Sequence, residues 1–320
     1  GKPFNLDPTQ PCPAMNRTLF TSLLASTLIV SAPAQDMALS QIFPEDSAWE
    51  LVVEGYEFTD GLTSDAAGNL YFSDVKGGTA VYRVDLEGKS SEYIPNAPGI
   101  SGLKWGADGK LYACVSKEQR VVVFDKDKAV TELAKEVRPN DLVVTRDGNL
   151  YFTMTPTSEI RRIDPAGKMT VVSSGVVGKP NGISLSRDQG TLAVSDHGGK
   201  FVWVFRIEPD GTLAHPGNYM TLVTPAETPE VGKGDGMTTD VHGRYYVTSA
   251  EGLQIFDPTG RLCGVLPAPD SKLPIVSCCF AGPGHAWLYV GNGGKIWRRK
   301  TTSAGALGFE EPKANEVVPK

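Results

Sequence analysis

Histidine and cysteine are scarce in this chain, with four and five copies among 320 residues. The histidines show no H-E-x-x-H spacing, which argues against a zinc protease. The cysteines show no C-x-x-C pair, which argues against a zinc cluster. No G-x-S-x-G turn is present to carry a nucleophilic serine. A basic excess is also missing. The net charge is −6 and the isoelectric point about 5.4, so the electrostatic footprint of a nucleic-acid binder is not there. No run of apolar residues is long enough to cross a bilayer. What is plentiful is glycine (35) and proline (23), which points to many turns.

The segment beginning at Met15, MNRTLFTSLLASTLIVSAPAQ, carries an arginine, an apolar stretch from Leu19 to Val30, and the small residues Ala32-Pro33-Ala34. That order is the pattern of a secretory signal peptide. It predicts export to the periplasm or the medium, with a mature chain beginning near Gln35. Residues 1–14 precede the expected leader and stay out of the fold reasoning. The remaining 35–320 read as one domain with a core over about 48–300. Cys12 lies upstream of the leader. Of the others, Cys278 and Cys279 read as buried small hydrophobes rather than as a disulfide.

A turn followed by a strand recurs six times: SDAAGNLYFSD, GADGKLYACVS, TRDGNLYFTMT, SRDQGTLAVSD, TDVHGRYYVTS and AGPGHAWLYVGN. Anchored at Leu70, Leu111, Leu150, Leu192, Tyr245 and Leu288, the copies are 41, 39, 42, 53 and 43 residues apart. A period near forty belongs to propeller blades of four strands. The third copy displays all four, as DLVVT, NLYFTM, EIRRID and KMTVVSS. The long fourth-to-fifth interval predicts a longer outer hairpin and a Pro-rich loop. The last copy has no fourth strand after KIWRRK, while an orphan apolar stretch, Ala48–Gly55, precedes the first. An all-β, six-bladed propeller closed by that N-terminal strand accounts for both, and removes an exposed edge.

Ten residues before each anchor, or eleven where the turn is one residue longer, stand Asp60, Ser101, Asn140, Asn181, Asp235 and Ser277. The first strand of a blade is innermost, so these six side chains should converge at one mouth of the axial channel. Two carboxylates and two amides together are hard-oxygen ligands. They suit one divalent cation, Ca²⁺ first, with Zn²⁺, Mg²⁺ or Mn²⁺ as alternatives. The blander reading is that polar residues solvate the mouth or make turns, but turns account for one or two positions and not for four of six. Asp74, Ser116, Thr155, Asp196, His197 and Glu251 follow the second strands and should reach the same mouth. Arg138, two residues before Asn140, is placed over the metal. Asp141 is expected to turn away from the axis, because strand neighbours alternate.

The stretches RPND at 138–141, PNGISLSRDQGTLAVSD at 180–196, DGMTTDVHGRYYV at 235–247 and SCCF at 277–280 resemble the senescence marker protein/gluconolactonase (regucalcin-like) family. The resemblance spans roughly 48–300. It implies a six-bladed propeller that hydrolyses lactones at a single divalent metal. It also implies Asn181 and Asp235 as ligands, Asn140 beside the metal, and Arg138 and Asn140 on the substrate. The family's remaining ligand is a Glu in a Phe-x-Glu-Gly-Pro stretch. Here that stretch reads FTDGLTS, with Asp60 for the Glu and Leu62 for the Pro. Ser101 stands where many bacterial members have Asn, and ACVSKEQR lacks the His often found there.

The expected function is thus a metal-dependent lactonase acting on a sugar lactone or a related small lactone. Asp235 is the first candidate for general base and Asp141 the second. His197 joins Arg138 and Asn140 in holding substrate. The expected partner is the small-molecule lactone, with no nucleic acid and no membrane, and the protein is expected as a monomer or weak dimer. Rival readings are a non-catalytic periplasmic propeller that binds a metal and a ligand, or a propeller like organophosphate hydrolases or strictosidine synthase. The fold alone does not choose between them.

Overall fold

A computed structural model describes residues 38–310. The expected leader and Cys12 lie outside the described residues. Six antiparallel sheets of four strands each run outward from an innermost strand, five of them in chain order and the sixth completed by the N-terminal strand. The inner strands are Thr59–Ser64, Ile100–Trp105, Leu142–Val144, Pro180–Leu185, Met237–Thr239 and Ile275–Ala281. The third blade continues through Leu150–Met154, Glu159–Ile163 and Met169–Ser174, as its sequence predicts. Among the described residues no helix is long and apolar enough to cross a membrane.

The turns explain the two offsets. Gly109, Gly148 and Gly243 sit at positive φ between first and second strands, the conformation glycine adopts without a Cβ penalty. In the fourth blade the turn is one residue longer, and Gln189 takes the left-handed position instead, at φ 62°. The expected long hairpin is formed by Phe201–Ile207 and the nine-residue strand Leu213–Thr221.

Closure of the ring is by the N-terminal strand. Glu50–Val53 pairs antiparallel with Lys295–Lys300, and Arg298 Nε reaches Glu50 Oε2 at 2.9 Å. Apolar clusters lie between blades as well as within them. Leu62, Phe72 and Val84 of the first blade pack with Cys279, Tyr289 and Ile296 of the sixth. Burying each such side chain contributes about 1.5–3 kcal/mol, so the seam holds by packing as well as by pairing. Cys114, Cys278 and Cys279 are buried and unbridged.

The packed body exceeds 48–300 at both ends. Ile42 and Phe43 are buried against the fifth and sixth blades. Among the described residues, those after Lys300 do not form a strand of a blade. They cross the far end of the channel, with Val241 N donating to Ala304 O, Gly305 N to His285 O and Ala306 N to Thr239 O.

Candidate metal and substrate site

Every inner strand that enters the channel mouth as a strand is irregular there. The pairing register shifts between Asp60 and Thr63, Ile100 and Gly102, Pro180 and Ile183, and Ile275 and Ser277. In the third and fifth blades regular pairing starts only at Leu142 and Met237, so Asn140 and Asp235 precede it. A bulge of this kind re-aims side chains. Two successive residues can then face the axis.

The residue after each polar position is glycine in four copies. A Cβ on Gly182 would stand 2.1 Å from Asp235 O, and one on Gly102 would stand 2.8 Å from Asp141 Oδ1. These contacts keep neighbouring inner strands close enough for their polar side chains to meet. In the third blade that glycine position is Asp141. Its carboxylate lines the axial pocket together with Asp60, Ser101, Asn140, Asp235 and Ser277. The expectation that Asp141 turns away is therefore corrected: alternation fails where the strand is bulged or not yet begun.

The six polar positions divide by what their atoms do. Ser101 Oγ donates to Asn140 O at 2.5 Å. Ser277 Oγ accepts from Leu62 N at 3.0 Å. These two serines tie adjacent blades. Asp60 Oδ1 accepts from Gly61 N at 2.7 Å and Asp235 Oδ1 from Gly236 N at 2.9 Å, and the Ser277 and Asn181 side chains lie within hydrogen-bonding reach of Asp60 and Asp235. Among the described residues the Asn140 side chain makes no hydrogen bond. Asn181 is 7% exposed, and its Oδ1 is buried with no partner. An orphaned buried carbonyl oxygen costs on the order of 1–3 kcal/mol unless something meets it.

Electrostatics point the same way. Burial pushes Asp60 up to about 8, with the nearby Asp141 charge adding to the rise and the Gly61 N–H opposing it. Burial raises Asp235 well above the usual carboxylate range, and the charges of Asp60 and Asp141 push it further. Burial raises Asp141 too, opposed by Lys104. Three carboxylates in one desolvated pocket repel one another, and a cation among them relieves both costs. Among the described residues no three His, Cys, Asp or Glu side chains form a metal cluster. The donor set thus depends on amide oxygens beside the carboxylates. That composition fits a hard divalent cation such as Ca²⁺.

His197 stands beside this set. Its Nδ1 is 3.3 Å from Asn181 Nδ2 and 3.7 Å from Asp235 Oδ2. Burial lowers its pKa, so the neutral ring accepts from Asn181 through Nδ1. Arg138 is exposed and does not line the axial pocket. Other residues named for the mouth do structural work. Asp74 accepts from the backbone N–H groups of Glu57 and Phe58, and Asp196 from those of Gly178 and Lys179. Ser116 and Thr155 donate to the carbonyls of Pro139 and Pro180 in the next blade. Lys104 was missed. It lines the axial pocket from the second blade's inner strand, three residues past the polar position, and the forty-residue period offers no counterpart to flag it.

The arrangement is a six-bladed propeller with an axial pocket of oxygen donors at one channel mouth. Residues 58–293 match the family described as SMP-30/Gluconolactonase/LRE-like region, and the chain belongs to that family. It is 27% identical over 324 residues to a gluconolactonase from Zymomonas mobilis, covering 90% of this chain and 86% of that one. Among solved structures, a gluconolactonase from Xanthomonas campestris superposes with a TM-score of 0.72 at 22% identity, over 82% of this chain and 92% of that one. The calcium-binding protein regucalcin from Agrobacterium tumefaciens superposes with a TM-score of 0.67 at 17% identity, over 81% and 95%. At those identities the two structures speak to the fold.

Proposed function

We propose that the protein hydrolyses the ring ester of a sugar lactone or related small lactone, with a divalent cation held by Asp60, Asn140, Asn181 and Asp235. The observation that carries this reading is the orphaned Asn181 Oδ1 beside three mutually repelling carboxylates. Family membership supports the reaction class, and the gluconolactonase relative supports the substrate class. Bound there, a divalent cation would act as a Lewis acid on the ester carbonyl and would acidify water. The chain's own groups supply the rest. The Gly236 N–H fixes one oxygen of Asp235. The other faces Asn181 and His197 and is the one to take a proton from water as oxygen attacks the carbonyl carbon. The ring C–O bond breaks, and the leaving alkoxide recovers a proton, giving the hydroxy acid.

Asp141 is the second candidate for the base. Its Oδ1 is held by Leu142 N at 2.8 Å. His197 orients Asn181 and borders Asp235, and Arg138 is assigned to the substrate at the open face. The pattern at Met15–Ala34 supports export, which mass spectrometry of the secreted chain would test by its N-terminus. The reaction itself is tested by following acid release from a panel of sugar and aliphatic lactones, before and after chelation. Turnover that stops on chelation and returns with Ca²⁺, Zn²⁺, Mg²⁺ or Mn²⁺ is expected. Turnover that survives complete chelation overturns the mechanism. No turnover with the cation demonstrably bound reassigns the protein to ligand binding without catalysis.

A further inference from the structure

A second cavity lies away from the carboxylate mouth. It lies at the opposite end of the channel, holds about 250 Å³, and is bounded on its outer side by Ala304–Glu310. At about 30 Å³ per water molecule this is room for roughly eight waters, the scale of a small organic acid. Lys104 lines this cavity and also the carboxylate pocket. Among the described residues its ammonium makes no hydrogen bond or ion pair. Two buried hydroxyls on other blades line the same space, Thr63 at 6% and Ser184 at 7% exposure. Neither side chain makes a hydrogen bond among the described residues. Their oxygens are not sealed from solvent, so they open onto the cavity as free hydrogen-bonding groups.

The chemistry of the lining selects the occupant. The Lys104 charge reaches Asp141 and Asp60 in the other pocket, but no carboxylate among the described residues contacts its ammonium, so an anion in the cavity would gain a direct partner. Among the described residues Glu310 is the one acidic residue lining the cavity. The walls also include Trp105, Leu185 and Phe280, apolar surface that inorganic phosphate would leave uncovered. A carboxylate on a short hydroxylated carbon chain matches all three features: charge for Lys104, hydroxyls for Thr63 and Ser184, and carbon for the apolar wall. We infer that this cavity is a second binding site, specific for a small hydroxycarboxylate, with Lys104 as its counter-charge. The site is independent of the reaction proposed for the other mouth.

The test is calorimetric titration of the full chain with sodium gluconate, and separately with sodium phosphate. One gluconate per chain is expected, with phosphate much weaker. Losing the charged partner in Lys104→Met should weaken gluconate by about tenfold or more, and losing one hydroxyl in Ser184→Ala by several-fold. Asp235→Asn should leave gluconate affinity unchanged, because it alters only the far mouth. Thermal unfolding checks that each variant is folded, and Ser184→Ala decides the matter if Lys104→Met is not. Undiminished gluconate binding in the folded Lys104 and Ser184 variants overturns the site. So does loss of binding in Asp235→Asn, which places gluconate at the carboxylate mouth. Phosphate bound in preference to gluconate overturns the ligand class.

Discussion

The two ends of one channel are made by the same six strands and have opposite characters. At the entry end the strands are bulged or not yet paired, and they bring Asp60, Asn140, Asp141 and Asp235 into one pocket, with the orphaned Oδ1 of Asn181 next to Asp235. At the exit end pairing is regular, the lining carries an ammonium and hydroxyls, and the chain after Lys300 lies across it. A regular strand presents side chains by alternation. A bulge breaks the rule for one step, and that step is what concentrates donors at one end.

The largest expected effect breaks the entry end alone. Asp235→Asn keeps size but removes a charge and the proton acceptor. Losing a general base costs on the order of 10²–10⁴ in rate, and weakened cation binding adds to it. Lactone turnover should fall by at least that much, and by more than in Asp141→Asn. Equal losses in the two variants would show that Asp235 has no special part. Next in size is removal of residues through Val53. It leaves Lys295–Lys300 as an open edge and strips Val52 and Val53 from the seam. The thermal midpoint should fall sharply, with aggregation, and an unchanged midpoint would mean the ring does not depend on its closing strand.

Acidity separates the ends further. Without a cation, Asp60 is raised to about 8 and Asp235 lies well above its ordinary range, both mainly through burial. In the unfolded chain an aspartate titrates near about 3.9. Between those values the folded state binds protons that the unfolded state does not, so stability falls as pH rises from about 4 to about 8. Chelated protein should therefore melt lower at pH 8 than at pH 5, and a bound divalent cation should remove most of the difference. A chelated protein that melts higher at pH 8 contradicts the burial of these groups.

Much of this was legible in the sequence, and the gaps have a common cause. The forty-residue period exposed six blades, the closing strand and the six polar positions, because each is set by local turn chemistry and hydrophobic patterning. Asp141 was read as facing away because bulges depend on neighbouring strands, and no single strand shows one. Ser101 and Ser277 looked equivalent to the aspartates, yet their hydroxyls serve the next blade's backbone. Lys104 and the Ala304–Glu310 crossing belong to no repeat, so periodicity was silent about the exit end.

The smallest effect sharpens the comparison most. Thr153 Oγ1 donates to Asn181 O at 2.6 Å, from the third blade to the fourth near the entry end. Thr239 Oγ1 donates to Leu185 O at 3.1 Å, from the fifth blade to the fourth near the exit. Both threonines are buried, and both bonds tie an inner strand of the fourth blade. Thr→Val keeps the shape and removes the donor, leaving a buried carbonyl short of a partner. Each change should cost about 1–3 kcal/mol of stability, read from denaturant unfolding. The two variants should then part company. Asn181 carries both the tethered carbonyl and the orphaned Oδ1, so Thr153→Val loosens a cation donor and should weaken cation affinity by several-fold. Leu185 carries no donor, so Thr239→Val should leave that affinity alone. Calorimetric titration of Ca²⁺ into the two variants reads the difference directly, and equal affinities would mean that Asn181 is held in place by something other than its neighbouring blade.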